Sequence, residues 1–336
     1  MPELSVTDEY ARRGIDTVHL ENDRLRVEVL AGKGGDVTEI RDKRTDVNVL
    51  FETPHEWYAP AAGQIGSPDD WFTFLDHFPG GWNSVLPTAG APAQVEGAPL
   101  AHHGESTLIP FDARTTAEDD RVVVSLSAEL SRYPLRVERE LTLEEGASRL
   151  EWEETVANVG EVDVDYSWVQ HVALGEPLIS PDARLEAPCE TVHVDPHHDP
   201  DTRRLPAGET FEYPVYEGDD GEIDVSRFPP KDERVHDLAA LTGFEEGRYT
   251  VTNPELDLGV TVEFDRDLYE FVWYWGAFGG FEDAPFFGRN YNLGLEPCTS
   301  RPTGGLEEHV ENDTAEHLPA GETVSTALSL ETHAAG

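Results

Sequence analysis

Three stretches of the chain carry polar residues of the types that move protons. The first is Gly80-Gly81-Trp82-Asn83-Ser84-Val85-Leu86-Pro87, followed by His102-His103-Gly104-Glu105. The second, Tyr166-Ser167-Trp168-Val169-Gln170-His171-Val172-Ala173-Leu174-Gly175, sets His171 in a mostly apolar strand. The third, Tyr291-Asn292-Leu293-Gly294-Leu295-Glu296-Pro297, carries Glu296 just before a proline. A histidine is costly in an apolar strand unless it has a partner. Taken singly, a core histidine or a strand-end glutamate more often serves structure than chemistry. In combination, an imidazole and a carboxylate form an acid–base pair, each worth about 10²–10⁴-fold in rate when well placed.

These residues need strands to hold them. Alternation puts Leu293 and Leu295 on one face and Asn292, Gly294 and Glu296 on the other. Pro297 has no N–H for a ladder, so the strand is expected to stop with Glu296 at its end. Period two dominates elsewhere too. Leu25, Val27 and Val29 form one stripe; Val122, Val124, Leu126, Ala128 and Leu130 form another. Leu135, Val137, Leu141 and Leu143 continue it, then Leu150, Trp152 and Val156. Turn signals such as Glu-Glu-Gly at 144–146 and Asn-Val-Gly at 158–160 separate the runs. No long stretch has helical spacing. The expectation is an all-β protein, a large antiparallel β-sandwich with few short helices, in one domain spanning 1–336. Leu-Pro-Ala-Gly-Glu-Thr occurs at 205–210 and again at 318–323, each copy reading as a turn that feeds a strand. The least regular region, about 193–236, reads as an excursion of the sheet.

Composition narrows the function. Twenty-four Lys and Arg stand against 68 Asp and Glu, a net charge of −44. The only lysines are Lys33, Lys43 and Lys231. Seven tryptophans and clear strand patterns argue for a folded protein with an acidic surface rather than a disordered acidic chain. Acid spread over the whole length fits life in concentrated salt, where carboxylate repulsion is screened within a few ångströms. Phosphate neutralisation is foreclosed, so no nucleic-acid partner is expected. Cys189 and Cys298 are too few for a disulfide framework or a cysteine zinc site. With no basic n-region, apolar h-region or run of roughly 20 apolar residues, the expectation is a cytoplasmic protein with no membrane partner.

Taken in order, the motifs resemble the aldose 1-epimerase (galactose mutarotase-like) family, and more closely its branch with a Gly-Trp…His-Gly-Glu signature. The matching pieces are Gly81 to Pro87, His103-Gly104-Glu105, Trp168 to Gly175, Trp273-Tyr274-Trp275 and Gly294-Leu295-Glu296-Pro297. The resemblance implies a β-supersandwich with a sugar bound across one sheet. It implies Glu296 as general base, His171 as general acid and His103 as a second histidine near the ring oxygen. Trp82 and Trp275 are expected to stack on the sugar, with Asp237 as a hydroxyl acceptor and Glu105 beside them. The Asn-His-x-Tyr-Phe-Asn-Leu block of galactose mutarotases is here Gln170-His171-Val172-Ala173-Leu174-Gly175, so the resemblance does not name the sugar.

The implied chemistry is simple. Anomer exchange needs a proton removed from the C1 hydroxyl and one given to the ring oxygen, with base and acid on opposite sides of the hemiacetal. No cofactor is required. Other readings are a carbohydrate-binding protein without catalysis, or a glycosidase using Glu105 and Glu296 as its two carboxylates. A phosphorylated hexose would call for an arginine cluster, and Arg289 and Arg301 near the Glu296 motif are too few. The run His-Val-Asp-Pro-His-His-Asp-Pro-Asp at 193–201 has the composition of a metal site, but reads as a solvated loop. The sequence leaves the oligomeric state open.

Overall fold

The computed structural model describes residues 4–60, 71–218 and 221–336. Antiparallel strands dominate, organised as a twelve-stranded and an eight-stranded sheet with three small two-stranded ribbons. The two α-helices among the described residues, Phe72–Leu75 and Leu306–Glu311, are short. None is long and apolar enough to cross a membrane. The sequence pattern and the structure therefore agree on a large, nearly all-β sandwich.

The apolar stripes do what their period dictates. Strands Arg121–Glu129, Leu135–Glu144 and Arg149–Asn158 are neighbours in the smaller sheet. Their alternate residues Val122, Leu141 and Trp152 are buried against the larger sheet in one continuous apolar cluster. The strands that matter for function are neighbours in the middle of the larger sheet. In spatial order they are Trp82–Val85, Val169–Gly175, Tyr291–Cys298, Phe271–Phe278 and Val235–Thr242. One face of this five-strand panel packs on the smaller sheet; Leu293 and Leu295 belong to that interior, as alternation requires. The other face is free to build a site.

Two expectations about the chain path change. Pro297 does not stop its strand, which runs Tyr291–Cys298 and pairs residue by residue with its neighbour Phe271–Phe278, Val272 lying opposite Pro297. On the other side, ladder bridges to Val169–Gly175 are interrupted between Val169↔Cys298 and Ala173↔Gly294. The missing N–H is thus absorbed as a local gap in one ladder rather than as a strand end. The region 193–236 is an excursion of short strands, including Thr210–Glu212 at the sheet edge and the ribbon Val215–Gly218 with Gly221–Asp224. Both Leu-Pro-Ala-Gly-Glu-Thr copies are turns with glycine at positive φ, at Gly208 and Gly321.

Behind the functional strands lies a buried polar network. Glu154 accepts from Arg139 Nη2 at 2.7 Å, Ser84 Oγ at 2.8 Å and Gln170 Nε2 at 2.8 Å. Gln170 Oε1 accepts from Trp82 Nε1 at 2.9 Å. Removing one partner of such a buried ion pair costs about 3–5 kcal/mol because its partner charge is then left uncompensated. The network ties two adjacent functional strands to the smaller sheet, one residue behind His171.

Candidate functional site

The register from Val169↔Cys298 to Ala173↔Gly294 puts His171 directly opposite Glu296. Both project to the face turned away from the smaller sheet, with side chains 4 % and 3 % exposed. His171 Nε2 lies 3.6 Å from Glu296 Oε1, close but too long for a hydrogen bond. The pair is side by side on neighbouring strands, which corrects the expectation of acid and base on opposite sides of a substrate. Gly294, two residues before Glu296 on the same face, leaves room for the carboxylate, since a Cβ there would collide with Glu296 Oε1 and crowd Trp275.

Burial controls the pair's protons. It raises the Glu296 carboxyl well above its ordinary value and pushes His171 down to about 4. Both effects favour the uncharged forms. In that uncharged form the pair holds one titrating proton, on the carboxyl, and shifting it to His171 would create an ion pair across 3.6 Å.

The pair opens into a cavity of about 480 Å³, within the range of small-molecule sites. His103 lines it from a left-handed backbone position, φ 57°, followed by Gly104 at φ 66°. A Cβ at 104 would strike the Leu86 carbonyl, so glycine is required there. Backbone strain of this kind persists only where the surroundings enforce it. Gly90 sets the tautomers of both neighbouring imidazoles. Its N–H donates to His103 Nδ1 at 3.1 Å, and its carbonyl accepts from His102 Nδ1 at 2.7 Å. With His103 held neutral by burial, its proton sits on Nε2. His102 is likewise neutral, pushed down to about 3 by burial.

Aromatic rings supply the remaining walls. Trp275 lies 5.8 Å from the His171 ring, centroid to centroid, and Phe78 lies 5.3 Å from it on another side. Trp275 Nε1 donates to His236 Nε2 at 3.2 Å, which puts the His236 proton on Nδ1. The His236 ring stacks on Phe281 at 4.6 Å. At the rim, His197 Nε2 meets Glu308 Oε2 at 2.8 Å, their side chains 51 % and 32 % exposed.

Of the residues expected from the sequence, His171, Glu296, His103 and Trp275 meet in this cavity. Three others do not. Trp82 is wholly buried between the sheets, stacked on Trp152 at 4.3 Å and 11°, so it is core rather than a sugar platform. Its neighbour Asn83 faces the site side, opposite His171. Asp237 likewise points away from the cavity; it accepts from Arg204 N at 2.7 Å and Arg204 Nε at 2.8 Å, while His236 and Leu238 line the cavity. Glu105 is buried under a turn, accepting the backbone N–H groups of Arg132 at 3.0 Å and Tyr133 at 3.2 Å. That removes the carboxylate pair a glycosidase would have used.

The sequence reading missed His236, Trp273, Phe74, Phe78 and Phe281, all lining the cavity. It also missed that His197 and His198 of the 193–201 run turn into it. The signal for Trp273 was present, since it shares a face with Trp275. The run itself is dispersed: His193 Nε2 meets Thr242 Oγ1 at 3.1 Å, and His198 Nε2 donates to the His236 carbonyl at 2.9 Å. Among the described residues no group of three or more His, Cys, Asp or Glu side chains is arranged to hold a metal ion.

The twelve-on-eight antiparallel sandwich has the fold of galactose mutarotase-like proteins. A provisionally assigned aldose 1-epimerase from Klebsiella pneumoniae superposes with a TM-score of 0.75 at 15 % identity, covering 99 % of this chain and 84 % of that one. Another from Escherichia coli K12 gives 0.64 at 16 % identity, with 96 % and 100 % covered. A galactose mutarotase-like protein from Clostridium acetobutylicum gives 0.66 at 15 %, with 98 % and 99 % covered. At these identities the likeness is one of fold. Over residues 12–332 the chain matches the family described as Domain of unknown function (DUF4432), and it belongs to that family. No curated protein matches it.

Proposed function

We propose that the protein is an aldose 1-epimerase-like mutarotase, with His171 and Glu296 passing protons to and from a bound sugar. The observation that carries this reading is the buried His171–Glu296 pair, 3.6 Å apart at the floor of a sugar-sized aromatic cavity. The C1 hydroxyl and the ring oxygen of a hemiacetal are bonded to one carbon. Two groups side by side on adjacent strands can therefore address both oxygens at once.

The reaction takes one proton from the sugar and returns one, and the pair holds one proton to exchange. With the pair's proton shifted to His171, Glu296 as carboxylate receives the C1 hydroxyl proton while the imidazolium delivers its proton to the ring oxygen. The C1–O5 bond opens to the aldehyde, the carbonyl presents its other face, and closure reverses both transfers. His103, its proton on Nε2, is placed to donate to a ring or hydroxyl oxygen. Trp275 offers an apolar face for the sugar's C–H surface. Nothing in these steps calls for a metal or nucleotide.

The test is anomer exchange followed by NMR across a panel of aldoses. Exchange accelerated well above buffer for at least one sugar supports the reading. Saturable binding without acceleration would reassign the protein as a carbohydrate binder.

A further inference from the structure

We infer that the cavity selects an uncharged, deoxygenated sugar, one whose carbon remote from the anomeric centre bears a methyl rather than a hydroxyl, phosphate, sulfonate or carboxylate group. This rests on the sugar-binding reading of the site and specifies its substrate class.

The first observation is charge. Among the described residues lining the cavity there is no lysine or arginine, while Glu296 and Glu308 are both there. The undescribed stretches contain no cation either: residues 61–70 read Ala-Ala-Gly-Gln-Ile-Gly-Ser-Pro-Asp-Asp, 1–3 are Met-Pro-Glu and 219–220 are Asp-Asp. Of the nearby arginines, Arg289 and Arg204 are engaged elsewhere. Arg289 gives its N–H groups to the carbonyls of Phe286, Pro285 and Pro54. Arg204 is committed to Asp237. An anionic sugar substituent is normally met by such a guanidinium fork or an ammonium. The buried imidazoles cannot substitute, because desolvation holds His102, His103, His171 and His236 in their neutral forms.

The second observation is the wall beside the acid–base pair. Phe74, Phe78, Leu75 and Phe281 form an apolar cluster with Trp275, and the Phe74 and Phe78 rings lie 6.1 and 5.3 Å from that of His171. None of these four side chains can accept or donate a hydrogen bond. A hydroxyl pressed against this wall loses its water and finds no partner, a penalty of roughly ten- to a hundredfold in affinity. A methyl group there gains contact instead.

Tryptophan fluorescence reports binding without catalysis, since Trp71, Trp273 and Trp275 line the cavity. Wild-type protein and Glu296→Gln are titrated with 6-deoxyglucose, glucose, glucose 6-phosphate and glucuronate, each in 0.2 M and 2 M KCl. The expected order is 6-deoxyglucose, then glucose, with both charged sugars at least tenfold weaker than 6-deoxyglucose. The order should hold at both salt concentrations, because molar salt screens the protein's overall charge but not a missing local cation. Binding of either charged sugar as tight as 6-deoxyglucose overturns the inference, as does tighter binding of glucose. Exchange kinetics on the same sugars separate it from the catalytic reading. The expected binding order without accelerated exchange sinks catalysis alone, and accelerated exchange with a charged sugar bound best sinks this inference alone. If no sugar binds to the wild type, both fall.

Discussion

For the single residues of the site, catalysis turns on where one proton sits. Burial raises Glu296 and lowers His171 to about 4, so the one-proton state of the pair spans the pH range between them. Below about 4 the imidazole gains a second proton and no base remains. Above the raised Glu296 value the carboxyl proton is lost and no acid remains. The predicted kcat/KM profile, which reports the free enzyme's groups, is a bell whose acid limb falls near pH 4, well below the ordinary histidine value. Rates measured from pH 3 to 10 check this; an acid limb at pH 6 to 7 would mean that His171 titrates as an ordinary exposed imidazole. Gly294 is a second single-residue determinant. Gly294→Ala puts a methyl group where Glu296 Oε1 lies and against Trp275. A displacement on the ångström scale costs roughly a hundredfold in rate, so kcat should fall by about that much while the circular-dichroism spectrum stays native.

At the element scale, what the sequence revealed and what it hid have one cause. Strands with one solvated face, such as Leu135–Glu144, alternate buried and exposed and are legible directly. The functional strands Trp82–Val85, Val169–Gly175 and Tyr291–Cys298 are buried at every position, with the sandwich interior on one face and the cavity on the other. Polarity then no longer says which face is which. The choices of Trp82 and Asp237 were each off by one residue, and one residue turns a side chain to the other face. His236 lines the cavity next to Asp237, and Asn83 lies opposite His171 on that face of the sheet. Glu105 failed differently, because the turn it supports is made by residues 131–133, far along the chain. Glu296 was placed on its correct face because Leu293, Leu295 and Gly294 constrain the alternation. Its strand nevertheless continues past Pro297, since a central ladder can tolerate one lost N–H. Trp82→Ala separates the two assignments. As core it should cost about 3–5 kcal/mol, read from urea denaturation; loss of sugar affinity at unchanged stability would return Trp82 to the site.

At the scale of the whole molecule, a net charge of −44 on 336 residues must be held together against its own repulsion. Many surface carboxylates are paired with arginine, as in Arg26 with Glu39 and Arg149 with Glu263. With 24 cations for 68 acids, most cannot be. Salt adaptation is therefore a proposal about stability, and one that is independent of the site. Raising KCl from 0.1 M to 2 M shortens the screening length from about 10 Å to under about 3 Å. The thermal midpoint should rise by roughly 10 °C or more, a few kcal/mol for a chain of this size. A midpoint that is flat or falls with salt would remove that proposal and leave the acid–base account untouched.

The central claim, that Glu296 and His171 together interconvert anomers, is tested most directly by two-dimensional exchange NMR on a ¹³C-1-labelled aldose that the wild type turns over. Wild-type protein and folded Glu296→Gln are compared at equal concentration. The account predicts that exchange by Glu296→Gln drops by about 10²–10⁴-fold toward the buffer rate while fluorescence still reports sugar binding. Exchange by Glu296→Gln at the wild-type rate would contradict it.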